Sequence, residues 1–124
     1  MAGVDSALKE AMTIEGALGA ALVDIGSGMT LGSLGHANDL DLTLAAAGST
    51  DVVRATLRAA ELQGRANETM EDILTTLTRQ YHLVRPLTGS GGQGLFLYLV
   101  LDRARANLAM ARHRVHRIES ELTI

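Results

Sequence analysis

The segment from Leu40 to Gln63 constrains this chain more than any other. It carries apolar residues at helical spacing without a proline, and Gly64 follows as a stop, so it reads as one helix capped by Asn38 or Asp39. Gly48, Ser49 and Thr50 weaken its middle, and a kink or break is expected there. Asp51, Arg54, Arg58, Glu61 and Arg65 gather on one narrow polar stripe. The rest of its second half, through Val52, Val53, Ala55, Leu57, Ala59, Ala60 and Leu62, is apolar over roughly 200°, about twice the stripe of an ordinary surface helix. A helix apolar on two sides has to bury both. One side can lie on a sheet; the other needs more of this chain or a second copy of it.

The remaining elements supply the sheet. With 124 residues, 47% of them hydrophobic and 20% charged, the chain fits one globular domain, 1–124. A first helix is capped by Ser6 or Asp5, continues through Leu8, Ala11, Met12 and Glu15, and ends at Gly16. Ala17 to Asp24 and Met29 to Leu34 are strand-length runs around Gly26-Ser27-Gly28 and read as a hairpin. Gly19 and Gly32 inside them are costly unless another backbone approaches closely. Beyond the long helix, Ile73 to Thr78 is rich in β-branched residues, Arg79-Gln80 fits a two-residue turn, and Tyr81 to Arg85 returns. Pro86 belongs at a strand end, since it cannot donate to a ladder. Leu95 to Leu101 is apolar on both faces and reads as the central strand. A last helix begins near Asp102 with Ala104, Leu108, Ala111, Val115, Ile118 and Leu122 on one stripe. The order α-β-β-α-β-β-β-α, without a strand–helix–strand repeat, is an α+β sandwich around one mostly antiparallel sheet.

Composition excludes several kinds of chemistry. There is no cysteine, which removes disulfides, thiolate catalysis and cysteine-ligated metals. A net charge of −3 and only three aromatic residues, Tyr81, Phe96 and Tyr98, argue against nucleic acid. The longest aliphatic and aromatic run is the seven residues Leu95 to Leu101, against the roughly twenty that span a bilayer. The first residues lack a basic stretch followed by an apolar one, so no signal peptide is expected and the protein is expected in the cytoplasm, without membrane insertion. Charge is uneven: residues 103–124 hold five arginines and two acids, so the final helix is either a docking surface or a solvated face.

No reactive constellation emerges. Gly89 to Gly94 satisfies G-x-G-x-x-G, but a strand follows where a dinucleotide site needs a helix, so it reads as a mobile hairpin loop. His113 and His116 lie one turn apart with only Glu119 as a third ligand and read as solvated; His82 reads as a sheet-face residue and His36 as a turn residue. Ser27, Ser33, Ser49 and Ser90 sit beside glycine, yet none forms G-x-S-x-G. Glu71 and Asp72 are neighbours on a strand and point to opposite faces. No catalytic residue, cofactor or metal site is expected.

The hairpin Ala17–Asp24/Met29–Leu34, the Ala-rich helix after Asn38-Asp39, the strand Glu71-Asp72-Ile73-Leu74-Thr75 and Tyr81-His82-Leu83-Val84-Arg85-Pro86 together resemble the roadblock/dynein light chain family, in its bacterial MglB-like branch. The resemblance spans residues 5 to 120 and rests on element order and hydrophobic pattern. It implies a five-stranded antiparallel sheet with the middle helix on one face and the terminal helices on the other. It also implies a homodimer through the middle helix and the third strand, here Leu44, Ala47, Val52, Ala55, Ala59 and Leu62 with Ile73, Thr75 and Leu77. The two-sided middle helix and the edge that a third strand presents agree with this.

Members of that family are non-catalytic signalling platforms that bind and regulate Ras-like small GTPases. In the MglB-like branch the dimer orients the GTPase's own residues rather than inserting an arginine finger. Arg54, Arg58 and Arg85 are the candidates here for a partner surface. Two other readings stand beside this one: a small-molecule or peptide sensor, which few aromatics disfavour, and a purely structural dimeric scaffold.

Overall fold

A computed structural model describes residues 3–35, 41–89 and 93–123. The elements run α1 (Val4–Met12), β1 (Ala17–Asp24), β2 (Thr30–Gly35), α2 (Leu42–Leu62), β3 (Ile73–Thr76), β4 (Gln80–Pro86), β5 (Leu95–Asp102) and α3 (Leu108–Glu121). The five strands form one sheet in the order β2-β1-β5-β4-β3, with every neighbouring pair antiparallel. β5 is central, as its two apolar faces require, and Phe96 to Leu101 are all buried.

Alternation along the strands sends side chains into two cores. Leu22, Leu83, Leu97, Leu99 and Leu101 pack under α1 and α3, against Leu8, Ala11, Ala111, Val115 and Ile118. Ala21, Val23, Val84, Phe96, Tyr98 and Val100 pack under α2, against Ala46 and Val53. The middle helix therefore covers one face and the terminal helices the other.

Several element ends differ from the sequence reading. α1 starts at Val4 with Gly3 at the cap position and no side-chain cap, so Asp5 and Ser6 lie inside the helix. Asp5 and Ser6 are exposed, so water is available to the first amides of the helix. The helix ends at Met12 rather than at Gly16; Thr13 closes it by donating its hydroxyl to the Glu10 carbonyl at 2.6 Å. Gly16 instead turns the chain into β1 at φ +87°, where a Cβ would also lie 3.0 Å from the Ala106 amide nitrogen.

β2 runs one residue later than expected. At Gly32 the close neighbours are α1 side chains rather than a backbone: a Cβ there would meet Leu8 Cδ1 at 3.0 Å and Val4 Cγ1 at 3.1 Å. α2 is continuous through Gly48-Ser49-Thr50, without the expected break. Thr50 is buried and donates its hydroxyl to the Ala46 carbonyl at 2.9 Å, so its polar group is satisfied within the helix. Asp41 caps α2, accepting from the Leu44 amide at 3.1 Å. The expected caps Asn38 and Asp39, the expected start at Leu40 and the turn residue His36 lie outside the described residues.

β3 is shorter than expected, and its turn to β4 is centred on Thr78-Arg79, one residue early, because Thr76 pairs with Tyr81 and the Leu77 amide donates to the Gln80 carbonyl at 2.8 Å. α3 starts at Leu108, not near Asp102. Asp102 ends β5 and closes a turn with its own side chain, and Asn107 caps the helix by accepting from the Met110 amide at 3.1 Å. Ala104 is consequently outside the helix and exposed, while Ala111, Val115, Ile118 and Leu122 keep the buried stripe.

Candidate functional site: the outer face of α2 and the β3 edge

Of its 21 residues, α2 buries only Ala46, Thr50 and Val53, one narrow line of contact with the sheet. Its outer face carries Leu44 at 71% exposure, Val52 at 44% and Leu62 at 76%, joined by exposed Ala47, Ala55 and Ala59. All six helix positions assigned to an interface from sequence therefore lie exposed on this chain. At about 25 cal/mol per Å² of apolar surface, leaving such a stripe in water is unfavourable.

β3 is the last strand of the sheet, so among the described residues one side of its backbone faces no strand. Such an edge invites pairing. Ile73 is half-buried, Thr75 is exposed, and Leu77 lies just past the end of the strand, 45% exposed. Ile73 and Thr75 share a crevice of about 230 Å³ with Ala45, Gly48, Ser49 and Val52 of α2. His82 and Tyr98 join Ser49 and Thr75 in its polar part. His82 Nε2 lies 2.9 Å from Gln80 Oε1, an acceptor, so Nε2 carries the proton and Nδ1 accepts the Tyr98 hydroxyl at 2.9 Å. Burial holds the His82 imidazolium below its ordinary range and raises the Tyr98 phenol.

The arginines assigned to a partner surface sit in three different settings. Arg54 donates to the carbonyls of Ile25 at 2.9 Å and Gly26 at 2.6 Å, clamping the β1–β2 turn to α2. Arg85 points under α3: Nε donates to Glu119 Oε1 at 2.6 Å, Nη2 to His116 Nδ1 at 3.0 Å and Nη1 to the Glu71 carbonyl at 3.3 Å. Arg58 is exposed and forms no hydrogen bond or ion pair with the described residues.

Structural comparison places this geometry. A Roadblock/LC7 domain from Streptomyces avermitilis superposes with a TM-score of 0.76 at 14% identity, covering 96% of this chain and 93% of its own. Myxococcus xanthus MglB gives 0.72 at 22% identity, over 93% of this chain and 84% of that one. An MglB with a tetrameric arrangement gives 0.70 at 22% identity, over 95% and 88%. The fold is that of the roadblock domain. No protein-family model matches the sequence, and no curated protein matches it.

Within this roadblock fold the basic α3 is tied down by arginines that brace it to other elements. Arg112 grips Asp72 with two bonds, Nε at 2.9 Å and Nη2 at 3.2 Å; Arg114 reaches Glu10 at 3.3 Å and the Thr13 hydroxyl. Just before α3, Arg103 donates to the Leu77 carbonyl at 3.0 Å and lies over the Tyr81 ring. Sequence alone missed these ties. Asp72 is thus committed to a cation, and it forms no acid–base pair with Glu71.

The start of the glycine-rich loop has its own anion. The amides of Thr88 and Gly89 both donate to Glu119 Oε2, at 2.7 and 3.2 Å. Burial pushes the Glu119 carboxyl up, but the Arg85 hydrogen bond and these two amides outweigh it and hold the group below the usual carboxylate range. Ser90, Gly91 and Gly92 lie outside the described residues. Among the described residues no group of three His, Asp or Glu side chains is placed to hold a metal ion, and no helix is long and apolar enough to cross a membrane.

Proposed function

We propose that this chain is a non-catalytic, homodimeric regulator that binds a Ras-like small GTPase and modulates its GTP hydrolysis or its localisation. The observation that carries the reading is the unburied apolar face of α2 lying beside the open β3 edge. One two-fold contact covers both: α2 packs on the mate's α2, and β3 pairs with the mate's β3. The exposed alanines let the two helices approach closely. The MglB solved in a tetrameric arrangement supports self-association as a property this fold sustains.

The platform reading is supported by the resemblance to the MglB-like branch. It is also supported by the commitment of Arg54 and Arg85 to partners within the chain, which leaves neither extended as an arginine finger. Arg58, exposed on the polar stripe of α2, is the residue we assign to GTPase contact. The test is to purify the chain with a Ras-like GTPase from the same genome. Sedimentation should find a dimer at micromolar concentration, and the complex should change GTP turnover or GTPase recruitment. A monomer removes the dimer. A dimer that neither binds nor affects such GTPases leaves a structural scaffold.

A further inference from the structure

Among the described residues, the crevice between α2 and the β3–β4 side of the sheet contains one imidazole and no counter-ion. From α2 it is faced by Ala45, Gly48, Ser49 and Val52, from β3 by Ile73 and Thr75, from β4 by Val84, and from β5 by Tyr98. Gln80, on the strand that carries His82, supplies an amide. None of these groups is charged, and the phenol of Tyr98 is the only other titratable one. The α2 rim of the crevice, Ala45 to Val52, holds one charged side chain, Asp51, which is exposed and does not line the crevice of its own chain.

Both ring nitrogens are satisfied in the neutral imidazole, Nε2 as donor to Gln80 and Nδ1 as acceptor from Tyr98. A second proton on Nδ1 would face the Tyr98 hydroxyl. That hydroxyl would have to turn its own hydrogen toward Ser49 and accept instead, with a cation left among neutral groups and no anion to balance it.

We infer that acidification dissociates the homodimer by charging His82 at the seam between α2 and β3. The inference rests on the self-association proposed above. A second copy on the α2–β3 surface takes away the water that reaches the crevice, so the imidazolium is disfavoured more in the dimer than in the monomer. Protons then favour the monomer by linkage. Each unit by which dimerisation lowers the imidazole's pKa weakens association about tenfold per protomer once the pH is below both values. The general charge effect runs the other way, because the protein approaches its isoelectric point near 5.7 and self-repulsion fades.

The experiment is sedimentation equilibrium of the full chain between pH 5.5 and 8.0, for the native protein and His82→Gln. The native dissociation constant should rise at least tenfold on acidification, and that of His82→Gln should change less than about twofold. Because the variant could itself disturb the crevice, the His82 ring proton is also titrated by NMR in the native protein, above and below the dissociation constant; its midpoint should be lower in the dimer. A dimer whose constant is flat with pH, or follows the same slope in His82→Gln, overturns the inference and leaves the dimer standing. Equal midpoints in the two states overturn it as well. A chain monomeric at every pH overturns the dimer and the inference with it.

Discussion

Arg85 on β4 and Glu119 on α3 meet at 2.6 Å, with only 13% and 9% of their side chains exposed. The pair does more than join two elements. Glu119 also accepts the Thr88 and Gly89 amides, and Arg85 also holds the carbonyl of Glu71, so one ion pair gathers α3, β4, the start of the β4–β5 loop and the approach to β3. Breaking a largely buried pair leaves its partner charged and unpaired. Glu119→Ala is therefore expected to cost about 3 kcal/mol. Urea denaturation should show the loss, and a double-mutant cycle with Arg85→Ala should recover a large coupling term. A coupling near zero would mean that solvent replaces the partner freely.

The same carboxylate sets a pH dependence. Its folded value is depressed, so its contribution is fully present above the ordinary glutamate value near 4.3 and is lost as pH falls through the lower folded value. Native protein and Glu119→Gln should thus differ most near neutral pH and converge as the pH falls through that lowered folded value. Denaturation midpoints measured across pH 3 to 7 check this. A gap that stays constant through the acid range would show that the loss comes from packing and not from charge.

Nothing in the sequence pairs these two residues. Strand alternation alone puts Arg85 on the face of Tyr81 and Leu83, and Glu119 adjoins the buried stripe of Val115, Ile118 and Leu122. Those two signals mark each residue as half-buried, but they do not say that the two meet across 34 positions. β1 and β5 were legible as strands because each is an apolar run of strand length ending near turn residues; their register was not, since a run apolar on both faces tolerates a slip. The start of α3 was not, because Asp102 and Asn107 are both capable caps. The choice between them falls to tertiary structure: Ala106 packs against Gly16 and holds residues 103–107 in a turn. The outer face of α2 was legible for the opposite reason, since surplus apolar arc shows in helix phasing before any partner is known.

Arg54 offers a local test of the α2–sheet contact. Its two bonds to the Ile25 and Gly26 carbonyls are solvent-exposed, which places them at the low end for charged hydrogen bonds. Arg54→Ala should cost about 1 kcal/mol or slightly more. Hydrogen exchange should accelerate at the Gly28 amide, which donates across this turn to Asp24 at 2.7 Å, while β5 amides stay protected. Unchanged exchange in the turn would show that the arginine merely rests there.

Leu44 and Leu62 stand near the two ends of the exposed stripe, at 71% and 76% exposure. Each touches little of its own chain, so Leu44→Glu or Leu62→Glu should change protomer stability by no more than about 0.5 kcal/mol. The same change places a charge in the proposed contact between copies, and sedimentation should show self-association weakened by more than tenfold. Loss of protomer stability matching the loss of dimer would assign these leucines to the fold instead.

Gly48 should separate folding from association in the opposite sense. It lies within α2, where glycine costs about 1 kcal/mol relative to alanine, and a Cβ there would meet nothing within 4 Å. Gly48→Ala should accordingly raise the stability of the dilute protomer by about 0.5–1 kcal/mol, a few degrees in Tm for a chain of this size. Yet Gly48 borders the crevice beside Ser49 and Val52, on the side a second copy would cover. The added methyl group takes up space that the mate's side chains need, so the dissociation constant should rise while the protomer melts higher. Thermal scans at low concentration and sedimentation at high concentration read the two effects separately. If alanine strengthens both, the notch at Gly48 is empty in the dimer and the two copies meet elsewhere on the helix.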